Sequence, residues 1–268
     1  MKKFYLIQML LGIILLSGCM TMNKSKLKFG IAYGKIEFKN ESSYNLLIVE
    51  PDHYTKPEID ALKQKGIKVI AYLSLGEVDP YRWYFPYLKE RGFLGMNPDW
   101  NSYYINLADK KTIELMLNKV LPNIMIKGFD GLFFDTVDAV APYTEHRDLK
   151  DEMVNLIKKI REKYPRAYLI QNAGLFLIDE TAPYIDGLLL EDVATGYDFK
   201  TNQYILKDEK EFSQRLSILE EIYRKYKPDI YIVDYADTPD RKREVEKRLQ
   251  RTPFYWFIGK IELQTLPE

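Results

Sequence analysis

Gly128-Phe129-Asp130-Gly131-Leu132-Phe133-Phe134-Asp135-Thr136-Val137-Asp138 is the stretch on which the fold turns. Its centre, Gly131–Asp135, is apolar without alternation and then stops on a carboxylate. A strand with one wet face alternates apolar and polar residues. A short continuous run marks a strand buried on both faces, as in a parallel sheet covered by helices.

Working outward, the same pattern recurs as Phe29–Tyr33, Leu46–Glu50, Val69–Leu73, Tyr168–Asn172, Gly187–Glu191, Ile230–Asp234 and Phe254–Ile258, making eight runs in all. Amphipathic stretches lie between them. Pro57–Lys65 opens on a proline suited to a first helical turn and ends at Gly66. Thr112–Ile126 ends before Gly128, and Asp148–Tyr164 stops at Pro165. Asp208–Tyr226 stops before Pro228, and Asp240–Leu249 is highly charged. Eight such runs alternating with helices predict an α/β protein of the (β/α)8 TIM-barrel class, one domain over residues 29–268. An open doubly wound sheet is the competing architecture, disfavoured because no glycine-rich phosphate turn follows the first strand. Two features are irregular. An insertion, Asp79–Lys110, holds a strand-like Tyr103–Leu107, and only ten residues follow the eighth run, too few for a closing helix.

The N-terminus carries a separate signal. Lys2 and Lys3 precede the apolar Phe4–Leu16, shorter than the roughly 20 residues a bilayer-spanning helix needs. Leu16-Ser17-Gly18-Cys19 then resembles the bacterial lipobox, whose cysteine is lipidated. The expectation is a signal peptide over 1–18 and a lipidated tether over 19–28 on the extracytoplasmic side of a membrane. Cys19 is the only cysteine, so no internal disulfide braces the fold.

Composition narrows the chemistry. Lys+Arg and Asp+Glu are both 39, which leaves no global basic field to gather nucleic acid. The two histidines, His53 and His146, are too few and too distant for a histidine-rich metal site, and no metal or cofactor is expected. The 21 tyrosines, 13 phenylalanines and 3 tryptophans suit a carbohydrate groove but also simply fill cores.

Barrel active sites lie at the C-terminal strand ends, and here those ends are acidic: Glu50, Asp135, Glu191 and Asp234. One such residue could cap the following helix; four at one end are hard to explain that way. Strands four and six share parity and lie two places apart, roughly 10 Å at ~4.8 Å per strand. Asp135 and Glu191 could therefore flank a glycosidic bond, one as nucleophile or base and the other as acid. Tyr72, Ser74, Glu77, Arg82, Asp138, Asn172, Asp234 and Tyr235 supply hydroxyls, amides and charges suited to a polar sugar subsite.

The segment Gly128–Asp138, together with Ala71-Tyr72-Leu73-Ser74-Leu75-Gly76-Glu77, Leu190-Glu191 and Asp234-Tyr235, resembles glycoside hydrolase family 114 in motif order over most of residues 29–258. That family contains endo-α-1,4-polygalactosaminidases. The resemblance implies a retaining endo-hydrolase, with Asp135 as nucleophile and Glu191 as general acid/base. Thr136 stands where well-known members carry asparagine, and Asn106 where aspartate is expected; both bear on the substrate more than on the carboxylates. The expected partners are a polysaccharide and, through Cys19, a membrane, with the protein acting as a monomer. A tethered glycan-binding barrel without catalysis and a carboxylate-metal enzyme are the competing readings.

Overall fold

A computed structural model describes residues 27–36 and 43–267. The expected signal peptide, Cys19 and most of the tether lie outside the described residues. Among the described residues, the eight apolar runs form one eight-stranded parallel sheet in sequential order. Its strands are β1 (Phe29–Ala32), β2 (Leu46–Val49), β3 (Lys68–Ser74), β4 (Gly131–Asp135), β5 (Tyr168–Asn172), β6 (Gly187–Glu191), β7 (Asp229–Tyr235) and β8 (Tyr255–Gly259). The architecture is a (β/α)8 barrel. Each strand centre is fully buried, as continuous apolar runs require.

The seam between β8 and β1 is closed by the chain that follows β8. Tyr33 N donates to Leu263 O (2.7 Å) and Gly34 N to Gln264 O (3.1 Å). A Cβ at Gly34 would lie 2.3 Å from Gln264 O, so this approach of two backbones needs glycine. Leu263 is buried, and Leu266 packs over Gly30. The flank left uncovered in the sequence reading is thus sealed by an irregular tail instead of a helix.

Register determines which side chains share a face. Ser74 pairs with Asp135, Phe134 with Gln171, Asn172 with Leu189, and Val233 with Glu191. Neighbours in a parallel ladder point the same way and successive residues alternate. Tyr72, Ser74, Asp135, Asn172, Glu191 and Tyr235 therefore all face inward at the top of the barrel.

Helices begin where side chains can satisfy free N–H groups. Thr55 and Glu58 form a capping box for Lys56–Gln64, Asp208 caps Glu209–Tyr226, and Thr238 caps Pro239–Leu249. The third expected helix, Lys150–Lys163, buries Met153, Leu156, Ile157 and Ile160. The stretch expected as one regular helix from Thr112 is instead Lys110–Leu115, a π turn over Met116–Val120, and Leu121–Met125. Pro122 cannot donate, and the turn preceding it widens so that Leu121 N reaches Met116 O.

Two excursions build the mouth. The long insertion folds as a short helix, Phe85–Lys89, and an antiparallel sheet of Glu77–Val78, Ser102–Ile105 and Phe93–Asn97. Its inner strand overlaps the expected Tyr103–Leu107. A second hairpin, Thr195–Asp198 with Gln203–Leu206, follows β6. Sequence reading missed it, because its strands are four residues long and half polar.

Candidate active site

Asp135 and Glu191 end β4 and β6 and are joined by the side chain that ends β5 between them. Asn172 Nδ2 donates to Asp135 Oδ1 and to Glu191 Oε1, each at 2.8 Å. A trigonal amide that spends one hydrogen on each acceptor holds those two oxygens roughly 5 Å apart. The Asn172 oxygen is buried and has no hydrogen-bond partner among the described residues. Turning the amide over would set that oxygen against two carboxylates, so the carboxylates fix its orientation.

Each carboxylate also takes one phenol. Tyr72 Oη donates to Asp135 Oδ2 at 2.7 Å, and Tyr235 Oη donates to Glu191 Oε2. Burial, and after it the charge of Asp135, push the Glu191 carboxyl up to about 7, while the bonds from Tyr235 and Asn172 pull the other way. Burial and the nearby carboxylates likewise hold Tyr33 and Tyr72 protonated, well above the ordinary phenol range. They remain donors at any working pH.

The backbone turns sharply just beyond these groups. Thr136, Ala173 and Asp192, the residues after Asp135, Asn172 and Glu191, are all left-handed, with φ of 54°, 49° and 59°. Residues with a Cβ enter that region at a cost of roughly 1–2 kcal/mol each. The surroundings hold them there. Ala173 N donates to Leu189 O and Asp192 N to Val233 O. Thr136 Oγ1 accepts from Gly76 N (2.9 Å) and Glu77 N (3.1 Å). A Cβ at Gly76 would lie 2.3 Å from Thr136 O, so glycine permits that contact.

Around the pair lies an open cleft of about 670 Å³. Among the described residues its wall carries eight carboxylates against two guanidinium groups, Arg82 and Arg215. Arg82 is already bound to Glu50 and lies over the Tyr72 ring. The cleft is thus negative and attracts cationic ligands. Burial, then the charges of Asp135 and Glu77, push the Asp138 carboxyl up. Among the described residues, no group of three or more His, Cys, Asp or Glu side chains converges to hold a metal ion.

Of the residues expected to bind substrate, Tyr72, Ser74, Glu77, Arg82, Asp138, Asn172 and Tyr235 all line this cleft. Several are engaged within the protein. Ser74 Oγ donates to Glu77 O (2.7 Å) and shares a hydrogen bond with Thr136 Oγ1. Glu77 accepts from Asn97 and Ser102. Asp234 is a correction. It is 0 % exposed and does not line the cleft. Val233 shares a row with Glu191, so the next residue faces away from the barrel axis. There its carboxylate accepts from Ala194 N, Thr195 N and Thr195 Oγ1, holding the start of the hairpin after β6.

Sequence reasoning missed Tyr33, Trp100, Phe199 and Arg215, which also line the cleft. Tyr33 was within reach, since it ends the first apolar run in phase with the inward Ile31. Trp100 carried a weaker signal, a large aromatic set among the turn residues Asn97, Pro98, Asp99 and Asn101.

Comparison with known proteins identifies the family and supports the barrel fold. The model of glycoside-hydrolase family GH114 matches residues 19–266. An uncharacterized protein of Methanocaldococcus jannaschii is 28% identical over 258 residues, covering 85% of this chain and 72% of that protein. One from Thermotoga maritima is 27% identical over 206 residues, covering 70% of this chain and 61% of that protein. Among solved structures, the glycoside hydrolase domain of PelA from Pseudomonas aeruginosa superposes with a TM-score of 0.77 at 22% identity, covering 90% of this chain and 99% of that one. Aspergillus fumigatus Ega3, in complex with galactosamine, superposes with a TM-score of 0.69 at 15% identity, covering 91% and 94%. These two likenesses speak to the barrel, whereas the family match runs nearly the whole length of the sequence: the chain belongs to glycoside-hydrolase family GH114 and is a glycoside hydrolase.

Proposed function

We propose that the protein is a retaining endo-hydrolase of a galactosamine-containing polysaccharide, with Asp135 as nucleophile and Glu191 as general acid/base. The observation that carries this reading is the Asn172 amide, which donates to one oxygen of each carboxylate and so holds those two oxygens roughly 5 Å apart. Retaining enzymes need about 5–5.5 Å, so that one carboxylate can reach the anomeric carbon directly. Inverting enzymes need a wider gap, about 6.5–9.5 Å, to admit a water.

The two environments fit the two roles. With its carboxyl raised to about 7, Glu191 holds a proton near neutral pH and can give it to the departing glycosidic oxygen. Asp135, steadied by Tyr72 and Asn172, attacks the anomeric carbon as that bond breaks and forms a glycosyl ester. Glu191, now ionised, then takes a proton from the water that cleaves the ester, which restores both groups. A negative cleft favours a polymer bearing free amino groups, which are cationic at neutral pH. The galactosamine bound to Ega3 is an amino sugar of this kind.

The test is reducing-end release from polygalactosamine and its acetylated forms by the detergent-solubilised protein. Cleavage lost in Glu191→Gln and Asp135→Asn supports the assignment. Unchanged cleavage in either variant removes that residue from its role. Binding without cleavage by the unaltered protein makes the chain a glycan-binding barrel. The reading extends to location: Cys19 is lipidated, and the barrel works as a monomer outside the cytoplasm, tethered to a membrane. The motivation is the Leu16–Cys19 motif behind a short apolar run. Labelled palmitate should enter the protein and be absent from Cys19→Ala; equal labelling of both would refute the anchor.

A further inference from the structure

Beyond the carboxylate pair, the feature that packing explains least is a pair of exposed rings. Trp100, in the insertion that follows β3, is 61% exposed, and Phe199, in the hairpin after β6, is 58% exposed. Isolated exposed aromatics are ordinary, but these two meet, with centroids 5.5 Å apart and planes at 80°. Their parent strands lie three places apart in a ring of eight, so the contact spans the mouth of the barrel. Both rings line the cleft that holds Asp135 and Glu191.

Neither ring is loosely placed. Tyr197 packs edge-on against Phe199 at 5.0 Å and against Tyr204 at 5.0 Å, and Tyr197 and Tyr204 are cross-strand partners in the hairpin. Asp198 accepts from Lys200 N and Thr201 Oγ1, which fixes the turn that carries Phe199. On the other side, Asn97 Oδ1 accepts from Asp99 N, and Asn101 is left-handed with φ 53°. Two shaped turns thus leave large apolar faces in water over an active site, more exposed aromatic surface than folding calls for.

We infer that Trp100 and Phe199 form a sugar-stacking bridge, a subsite that holds a pyranose ring of the substrate away from the bond being cleaved. A pyranose presents C–H groups on its faces and hydroxyl or amino groups at its edge. An aromatic face covers the former and leaves the latter to the polar cleft. The bridge makes binding depend on chain length, because only a substrate long enough to reach it gains the contact. This inference rests on the glycosidase reading above.

The test compares KM and kcat on short and long α-1,4-galactosamine oligosaccharides, using the full-length protein and its Trp100→Ala, Phe199→Ala and Trp100→Phe variants. The expected result is a roughly 10-fold rise in KM for the long chains in both alanine variants, about 1.4 kcal/mol. The rise for short chains should be much smaller, and Trp100→Phe should recover most of the loss. Melting temperatures should fall by no more than a few degrees, since both rings are largely in solvent and lose only their ring contacts. As a second readout, long chains should quench tryptophan emission of Glu191→Gln, and this quenching should vanish when Trp100→Phe is added. Unchanged KM for long chains in the alanine variants, from an enzyme that cleaves them, overturns the bridge alone. No cleavage of any of these substrates by the unaltered protein overturns the galactosamine-polymer reading and the bridge with it.

Discussion

Replacing Glu191 with glutamine makes the buried pair measurable as stability. In the folded protein, burial and then the charge of Asp135 raise this carboxyl from 4.5 to about 7. Between those values the native state keeps a proton that the unfolded chain has released, so stability falls as pH rises. The contribution is whole below pH 4.5 and spent once pH passes about 7. At about 1.36 kcal/mol per unit, that loss amounts to about 3 kcal/mol. Glutamine cannot ionise, yet its carbonyl can still accept from Asn172. Glu191→Gln should therefore match the unaltered protein in acid and exceed it by about 3 kcal/mol at alkaline pH. Urea denaturation of both proteins across this pH range measures the difference directly. A difference that stays flat across the window, or grows toward acid, would refute the claim that ionising this buried carboxyl costs the fold stability.

Three further outcomes follow from the same geometry. Activity should decline as pH rises through about 7, because Glu191 must carry a proton into bond cleavage; a rate that holds steady well above that value would remove Glu191 from the acid role. Asn172→Leu deletes both hydrogen bonds that hold the carboxylates together. It should lower kcat roughly 100-fold, read by steady-state kinetics alongside an unchanged circular dichroism spectrum, and full kcat would show that the bridge is dispensable. Asp234→Ala strips the buried Ala194 and Thr195 N–H groups of their acceptor. At about 1–3 kcal/mol for each of the two orphaned donors it should cost about 2–6 kcal/mol in urea unfolding, and a stability equal to the original would show that these bonds do not hold the hairpin in place.

The barrel was legible because its signal is local. A strand buried on both faces must be apolar at every position, and eight such runs separated by capped helices leave little choice of architecture. Pro57 at a first turn, and the stops at Gly66, Pro165 and Pro228, bound helices for equally local reasons. What escaped was short or depended on a neighbour: the four-residue hairpin strands after β6, the π turn before Pro122, and the tail that closes β8 onto β1. A tail that bonds to Tyr33 and Gly34 carries no periodicity of its own, because its partner lies over 200 residues away.

The candidate site divides in the same way. Sequence alone determined that the strand ends are acidic and that Asp135 and Glu191 end strands of like parity, since composition and spacing are written along the chain. Tertiary structure decided which of those carboxylates face one another. Parity turns Asp234 outward to hold Ala194 and Thr195, one residue beyond the row that carries Glu191. It turns Asn172 inward, where a single amide reaches both carboxylates. A one-residue step reverses the direction of a side chain, and only the pairing of strands sets where that count begins. The contact between Trp100 and Phe199 likewise exists only once the ring of strands has brought their two loops together.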